Sequence, residues 1–263
     1  MLFNVKLVLI NPLALYFLIC AVLVGFSLVI LFLSRWGIHS RLKAVHNDLA
    51  GYLFTAVGVI YGVLLAFVAI AVWEQYNDAM GNVVREAGRA LALYRDLNLY
   101  PDQDQAAPAR EALLAFIRLV VKDEYPAMAR GGESPATQQA MERLWKAAKS
   151  LRPRDSYQGA IFQEILKDIN SLGELRTGRL AAAQTNLPDI VWTALIIGAA
   201  ITLVFVVLFG AEKFWLHLFM TCLLAILMAT AIFLILEMDD PFMGPLAPQP
   251  TAYLQVLERM GGK

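Results

Sequence analysis

Four apolar runs divide the chain in a way that is typical of membrane-spanning helices. The runs are Leu13–Leu33, Leu53–Val72, Ile190–Phe209 and Phe214–Leu236, and none of them contains Asp, Glu, Lys or Arg. Each is about twenty residues long, which is the length that a helix needs to cross a hydrocarbon core of about 30 Å. Asn11-Pro12 is typical of an N-cap and a first helical residue, so the first span is predicted to start there. The pattern predicts an all-α membrane protein with four transmembrane helices.

The second run is predicted to continue as a helix after its apolar segment ends. No proline or turn cluster follows Trp73, and from there the apolar positions take a heptad spacing: Tyr76, Met80, Val83, Ala87, Ala90, Tyr94 and Leu97. Alternating steps of four and three keep these side chains on one face of a helix. The pattern therefore predicts one helix that runs from the bilayer into water, a geometry that suits a pore continuing into a soluble vestibule.

A polar insert between the second and third runs is predicted to be helical. Helices are expected from about Pro108 to Glu124, from Ser134-Pro135 to about Lys149, and from Asp155 to about Leu180. Ser134 and Asp155 are the residue types that cap helix N-termini, and Gln158 completes a capping box with Asp155. The proline-rich stretch 245–250 is predicted to be extended. The chain is thus divided into a first hairpin (1–73), the insert (74–187), a second hairpin (188–236) and a C-terminal tail (237–263).

Composition agrees with a membrane protein and narrows the chemistry. Charged residues are 17% of the 263 residues and hydrophobic residues are 59%, whereas soluble domains carry about 25% charged residues. A formal net charge of zero gives no global basic field for nucleic acid. Cys20 and Cys222 fall inside predicted spans, where they act as small apolar residues. No Cys/His cluster has metal spacing, and no nucleophile can be paired with His39, His46 or His217, so neither an enzyme site nor a cofactor is predicted.

Two stripes on the second span are candidates for helix packing and for a pore. Gly58, Gly62 and Ala66 recur every fourth residue, a spacing of small residues that allows another helix to approach closely. Val59, Val63 and Phe67 form the neighbouring apolar stripe, rotated by about 100°. In an oligomer packed through the small residues, that stripe could face a central axis and form a hydrophobic constriction. Packing within one subunit, or contact with lipid, is the alternative explanation of the same periodicity.

Three carboxylates follow the fourth span. They belong to the sequence Glu237-Met238-Asp239-Asp240-Pro241-Phe242-Met243-Gly244. Carboxylates beside a turn could coordinate a hard cation, or they could cap backbone groups and pair with arginines of the insert. A calcium site requires six to eight oxygen ligands, and no acidic run follows Gly244 to supply them. We therefore favour the structural role, in which these carboxylates cap backbone groups or pair with arginines.

Three short stretches resemble the bestrophin family, in the order in which that family carries them. Residues 237–244 resemble the Asp-Pro-Phe-Gly signature after the last span, with Met243 inserted before the glycine. Residues 57–67, followed by Trp73-Glu74 and Asp78-Ala79, are similar to the bestrophin neck helix and the aromatic and acidic residues after it. Arg179-Leu180, with Thr185 and Pro188, is similar to the segment that re-enters the membrane. Residues 61–77 and 123–126 resemble the bacterial branch of bestrophin-like membrane proteins in particular.

The resemblance implies a homopentameric ion channel of the bacterial inner membrane that passes small inorganic ions. Bestrophin-like proteins include both anion- and cation-conducting members, and chloride is the ion expected here. The resemblance places Val59, Val63 and Phe67 on the neck positions, and it places the insert and both termini in the cytoplasm. The acidic run that builds the calcium clasp of animal members is missing, so calcium gating is not predicted.

Charge alone does not settle the orientation. Arg35, Arg41 and Lys43 would place the first loop in the cytoplasm by the positive-inside rule. Arginines at the membrane ends of the insert oppose that assignment: Arg85, Arg89, Arg176 and Arg179. Because the charges are nearly balanced, we follow the orientation that the resemblance implies.

The leading hypothesis is an oligomeric channel whose partners are the lipid bilayer, further copies of the chain and small inorganic ions. The alternative is a non-conducting membrane scaffold or sensor whose helical insert binds a partner. A lipid-modifying enzyme is a weaker third option, since no polar site at the bilayer face can be found in the sequence.

Overall fold

The computed structural model describes residues 11–37, 47–207, 213–243 and 247–261. The regular elements in these ranges are helices: α1 (Pro12–Gly37), α2 (Asn47–Leu99), α3 (Gln103–Leu119), a π-helical turn (Val120–Glu124), α4 (Tyr125–Met128), α5 (Pro135–Lys149), α6 (Ser156–Ala182), α7 (Asp189–Val207), α8 (Phe214–Asp239) and α9 (Thr251–Arg259). Among them α1, α2, α7 and α8 are long and apolar enough to cross a membrane. The predicted all-helical class with four apolar helices is confirmed.

Several residues of the sequence analysis lie outside the described ranges. They are His39, Arg41, Lys43, His46, Phe209 and Gly244.

The helices divide into two compact units. We call residues Met1–Glu74 and Asn186–Asp239 the membrane unit, and residues Gln75–Thr185 and Asp240–Lys263 the helical unit. Helix α2 contributes its first part to the membrane unit and the rest to the helical unit, because it continues without a break from Asn47 to Leu99. The predicted continuous helix is confirmed. The C-terminal tail groups with the helical unit from Asp240 onward.

The membrane unit packs around an apolar core shared by α2, α7 and α8. The fully or nearly buried residues of this core include Val68, Val72, Trp192, Leu195, Leu203, Met228 and Ile235. Helix α1 contacts α8 through Tyr16, whose hydroxyl lies 3.2 Å from Thr230 Oγ1 and whose ring lies 5.4 Å from the ring of Phe233. The predicted start of α1 is confirmed, because Asn11 Oδ1 accepts a hydrogen bond from the Leu13 N–H at 3.0 Å.

The helical unit has a core of its own, which the predicted heptad of α2 enters. Val83, Ala87, Ala90 and Leu97 are buried there, together with residues of α3, α5, α6 and α9. The caps of α5 and α6 agree with the sequence: Ser134 Oγ accepts from Thr137 N at 3.2 Å, and Asp155 Oδ1 accepts from Gln158 N at 2.8 Å. Local capping signals therefore located both helix starts correctly.

The helix that was predicted from about Pro108 to Glu124 has different bounds at both ends in the structure. Asp102 caps α3 by accepting from Gln105 N at 3.2 Å, so the helix begins at Gln103 and Pro108 lies inside it. Near its other end the chain does not stop at Tyr125-Pro126, but passes through the π-helical turn and continues as α4 to Met128. Proline has no N–H to donate, and the wider π-helical turn just before it accommodates that loss.

Candidate functional site

The membrane part of α2 has one buried face and one exposed apolar face. Tyr61, Val68 and Val72 are 4%, 7% and 0% exposed and pack in the core of the membrane unit. The predicted neck residues Val59, Val63 and Phe67 are 60%, 49% and 69% exposed. Large apolar side chains thus cover the side of α2 that the other described helices leave open.

Tyr61 fixes the rotation of α2 about its axis. Its hydroxyl donates a hydrogen bond to the Leu195 carbonyl of α7 at 3.1 Å. Its ring lies directly over Gly198, where a Cβ atom would come within 2.4 Å of Tyr61 Cδ2. Because the ring occupies the space of a missing side chain, α2 cannot rotate against α7 without losing this contact. Sequence analysis did not identify this pair; a tyrosine in an apolar span, which needs a partner for its hydroxyl, was the available signal.

Within the part of the chain that the structure describes, no helix packs against the predicted stripe of small residues. A Cβ atom added to Gly58 or Gly62 would meet nothing within 4 Å among the described residues, and Ala66 is exposed. The stripe is therefore open to another copy of the chain or to lipid.

The post-span motif is divided between the two units. In the membrane unit, the buried carboxylate of Asp239 accepts hydrogen bonds from the Leu187 N–H at 2.6 Å and from Trp192 Nε1 at 3.2 Å. The two carboxylate oxygens of Asp239 therefore bind Leu187, just before α7, and the first turn of α7 itself. Glu237 lies two residues earlier, in the last turn of α8.

In the helical unit, the Asp240 carbonyl accepts from Met243 N at 3.0 Å and forms a turn. Pro241 and Phe242 are buried, and the Phe242 ring lies 6.5 Å from that of Tyr125. Within the described residues, no group of three or more His, Cys, Asp and Glu could hold a metal ion.

A buried charge cluster in the helical unit was not predicted from the sequence. It consists of Glu86 on α2, Glu124 in the π-helical turn, and Arg176 and Arg179 on α6. Arg179 Nε lies 2.7 Å from Glu86 Oε2, and Arg179 Nη2 lies 2.6 Å from Glu124 Oε2. Arg176 Nη2 lies 2.5 Å from Glu124 Oε1. Two carboxylates and two guanidinium groups balance in charge, which is what such deep burial requires.

Aromatic side chains complete the environment of Arg179. Its guanidinium carbon lies 5.7 Å from the Tyr125 ring centre and 6.0 Å from that of Tyr253, which α9 contributes. Burial by itself lowers the pKa of Arg179, but the interactions with Glu86, Tyr253 and Glu124 together outweigh it and hold that pKa well above the ordinary value. Burial raises the pKa of both tyrosines. The cluster links α2, α6 and α9, three elements that are distant in sequence.

Comparison with known proteins agrees with this fold. Residues 19–253 match the family described as Bestrophin-like domain. A variant of a bacterial bestrophin homologue from Klebsiella pneumoniae is 14% identical with a TM-score of 0.67, over 94% of this chain and 99% of that chain. A second variant of it gives a TM-score of 0.68 at 14% identity, over 93% and 97%. A structure described only as a membrane protein variant is 14% identical with a TM-score of 0.70, over 92% of this chain and 97% of that chain. No curated protein matches the chain.

The four apolar helices and the shared fold define a helical membrane protein. The family match covers most of the sequence, and the chain belongs to the bestrophin-like family.

Proposed function

We propose that this protein is an oligomeric ion channel, a pentamer, in which α2 lines the axis and small inorganic ions pass through an apolar neck. The neck residues are Val59, Val63 and Phe67. Chloride is the ion that the family resemblance implies, and it stays a prediction. We also propose that the channel lies in the bacterial inner membrane, with the helical unit and both termini in the cytoplasm.

The observation that carries this proposal is the exposed apolar face of α2. Tyr61 and Gly198 hold the opposite face against α7, so the neck residues face away from their own subunit. Lipid would satisfy such a face in a monomer. An oligomer packed through Gly58, Gly62 and Ala66 would instead place the three neck side chains of each copy around one axis.

A ring of such side chains provides a gate without any charged residue. A narrow pore lined by valine and phenylalanine expels water, and an ion that enters it loses its hydration. Conduction then depends on how wide the neck is. Passive flow down the electrochemical gradient follows, because no described residue set suggests a coupled energy source.

The test is planar-bilayer recording of the purified protein and of the triple variant Val59→Ala, Val63→Ala, Phe67→Ala. Smaller side chains widen the neck, so single-channel conductance should rise. Helix α1 offers a matched control, since Leu18, Val22 and Phe26 have the same spacing and are also exposed. Their replacement by alanine should leave the conductance unchanged. Unchanged currents in the triple variant would refute the assignment of Val59, Val63 and Phe67 to the neck of the pore.

One observation favours the alternative, a scaffold or sensor whose helical unit binds a partner. Residues 143–154 contain five exposed cations and no carboxylate: Arg143, Lys146, Lys149, Arg152 and Arg154. Arg154 pairs with Asp102 at 3.3 Å. A mainly basic strip of this kind suits an acidic partner. A particle that is monomeric by native mass spectrometry and carries no current would favour this alternative.

A further inference from the structure

Glu74 is the first charged residue of α2 after the neck residues, and it lies on the same face of the helix. Glu74 follows Phe67 by seven residues, so the helix rotates by about 700° between them, only about 20° short of two full turns. The two side chains therefore leave α2 in nearly the same direction, about 10 Å apart along the axis. Both are exposed, whereas the nearby Val72 points into the core.

Among the side chains of the membrane unit that the structure describes, carboxylates outnumber cations. The described side chains of this unit include four carboxylates, at Glu74, Asp189, Glu237 and Asp239, against the single ammonium group of Lys213. Lys213 precedes α8, and Glu237 lies near the end of that helix, so about 36 Å of helix separates them. Asp239 is occupied by its hydrogen bonds to Leu187 and Trp192, which leaves Glu74 as the exposed carboxylate on the neck face.

An apolar neck by itself cannot distinguish a cation from an anion of similar size, because it carries no formal charge. The sign of the permeant ion is then set by the nearest fixed charges, and rings of Asp or Glu favour cations. Such a ring acts over roughly one Debye length, about 8 Å at physiological ionic strength. Glu74 lies about 10 Å from Phe67, slightly more than one Debye length, so the ring changes ion concentrations at the mouth of the neck rather than inside it.

We propose that Glu74 determines the ion preference of this protein: a ring of Glu74 carboxylates at one mouth of the neck favours small monovalent cations over chloride. The proposal rests on the channel function proposed above, because only an axial neck would bring the copies of Glu74 around one path. It differs from that proposal, which names chloride, in the ion that it assigns to the channel.

The experiment measures the reversal potential of the full-length protein in a potassium chloride gradient across a planar bilayer. Wild-type protein should show a potassium-to-chloride permeability ratio of about 3 or more. Glu74→Gln should bring the ratio to about 1, because it removes the charge at nearly constant shape, and Glu74→Lys should bring it below 1, because it reverses the sign of the charge. Raising the salt concentration should weaken the wild-type preference through screening.

Two controls keep the result interpretable. Glu111→Gln removes another exposed carboxylate, on α3 of the helical unit, and should leave the ratio unchanged. Each variant should elute from size-exclusion chromatography like the wild type, because Glu74 is exposed and its replacement removes no buried contact.

The outcomes separate this inference from the channel proposal. A conducting protein that prefers chloride, or whose ratio is the same in wild type, Glu74→Gln and Glu74→Lys, overturns the inference and leaves the channel function standing. A protein that carries no current in any form contradicts the channel function, and the inference then fails with it. A ratio that changes equally in Glu111→Gln also overturns the role of Glu74.

Discussion

Replacing Arg179 with methionine tests whether the buried charge cluster stabilises the helical unit. The change removes a guanidinium group that pairs with both carboxylates of the cluster. Glu86 loses its contacts with Arg179 at 2.7 Å and 3.1 Å. Glu124 keeps Arg176 at 2.5 Å. The variant therefore leaves one carboxylate, that of Glu86, buried without its cation.

The expected loss follows from the burial. Glu86, Glu124 and Arg179 have 0% exposure, and breaking a buried ion pair by removing one partner costs about 3–5 kcal/mol. Methionine fills much of the space of the arginine stem, so the lost charge accounts for most of the effect. For a unit of this size, 1 kcal/mol lowers the melting temperature by about 2–4 °C, and the variant should melt about 6–20 °C below the wild type.

The assay is thermal unfolding of the full-length protein in detergent, followed by circular dichroism. Arg143→Met is the matched control, because Arg143 is exposed on α5 and donates only to the Gln139 carbonyl at 3.3 Å. The double variant Glu86→Gln, Arg179→Met should recover part of the loss, since it no longer buries an unpaired charge. A loss below about 1 kcal/mol for Arg179→Met would refute the reasoning.

Three further predictions follow from single contacts. Gly198→Ala should lower the free energy of unfolding by about 1–3 kcal/mol, and with it the melting temperature, because the alanine Cβ would lie 2.4 Å from the Tyr61 ring. An unchanged melting curve would contradict this prediction. Asp239→Asn should lower the free energy of unfolding by about 1–3 kcal/mol, because the NH2 group of asparagine would face one of the two N–H groups from which Asp239 now accepts a hydrogen bond. Equal thermal stability of the variant and the wild type would exclude this stabilising role of Asp239. Burial raises the pKa of Tyr253 well above its ordinary 10.0, so above pH 10 the unfolded chain releases this proton first and stability falls. Tyr253→Phe should show a shallower fall in stability above pH 10, and parallel curves for the variant and the wild type would argue against this role.

Local signals in the sequence were sufficient for the helices that they mark. The four apolar runs, the caps at Asn11, Ser134 and Asp155, and the heptad of α2 each depend on residues within one or two turns. The structure agrees with them because nothing in the tertiary packing opposes these local preferences.

Features that depend on distant residues were missed. Helix α9 follows a proline-rich stretch and is stabilised by burying Tyr253 and Val256 against the rest of the helical unit. The charge cluster joins Glu86 to Arg179, 93 residues away. In the sequence these residues are ordinary members of charged helices, and no local pattern shows which of them pair.

The candidate site was predictable only in part, for the same reason. The helical period identified Val59, Val63 and Phe67 as one stripe, and their exposure agrees with a face that lies outside the subunit. Which surface meets that stripe depends on other copies of the chain, and neither periodicity nor a single chain determines it. Tyr61 and Gly198 were not identified because their contact joins two separate spans.

The central claim, that α2 lines an ion path, is tested most directly by blocking the path at one position. Val63→Cys is made in a background where the free cysteines Cys20 and Cys222 are replaced by alanine, and a charged methanethiosulfonate reagent is added during bilayer recording. The account predicts that the reagent abolishes the current of Val63→Cys and leaves that of Val68→Cys intact, because Val68 faces the core. A current that persists after Val63→Cys has been fully labelled would contradict the account.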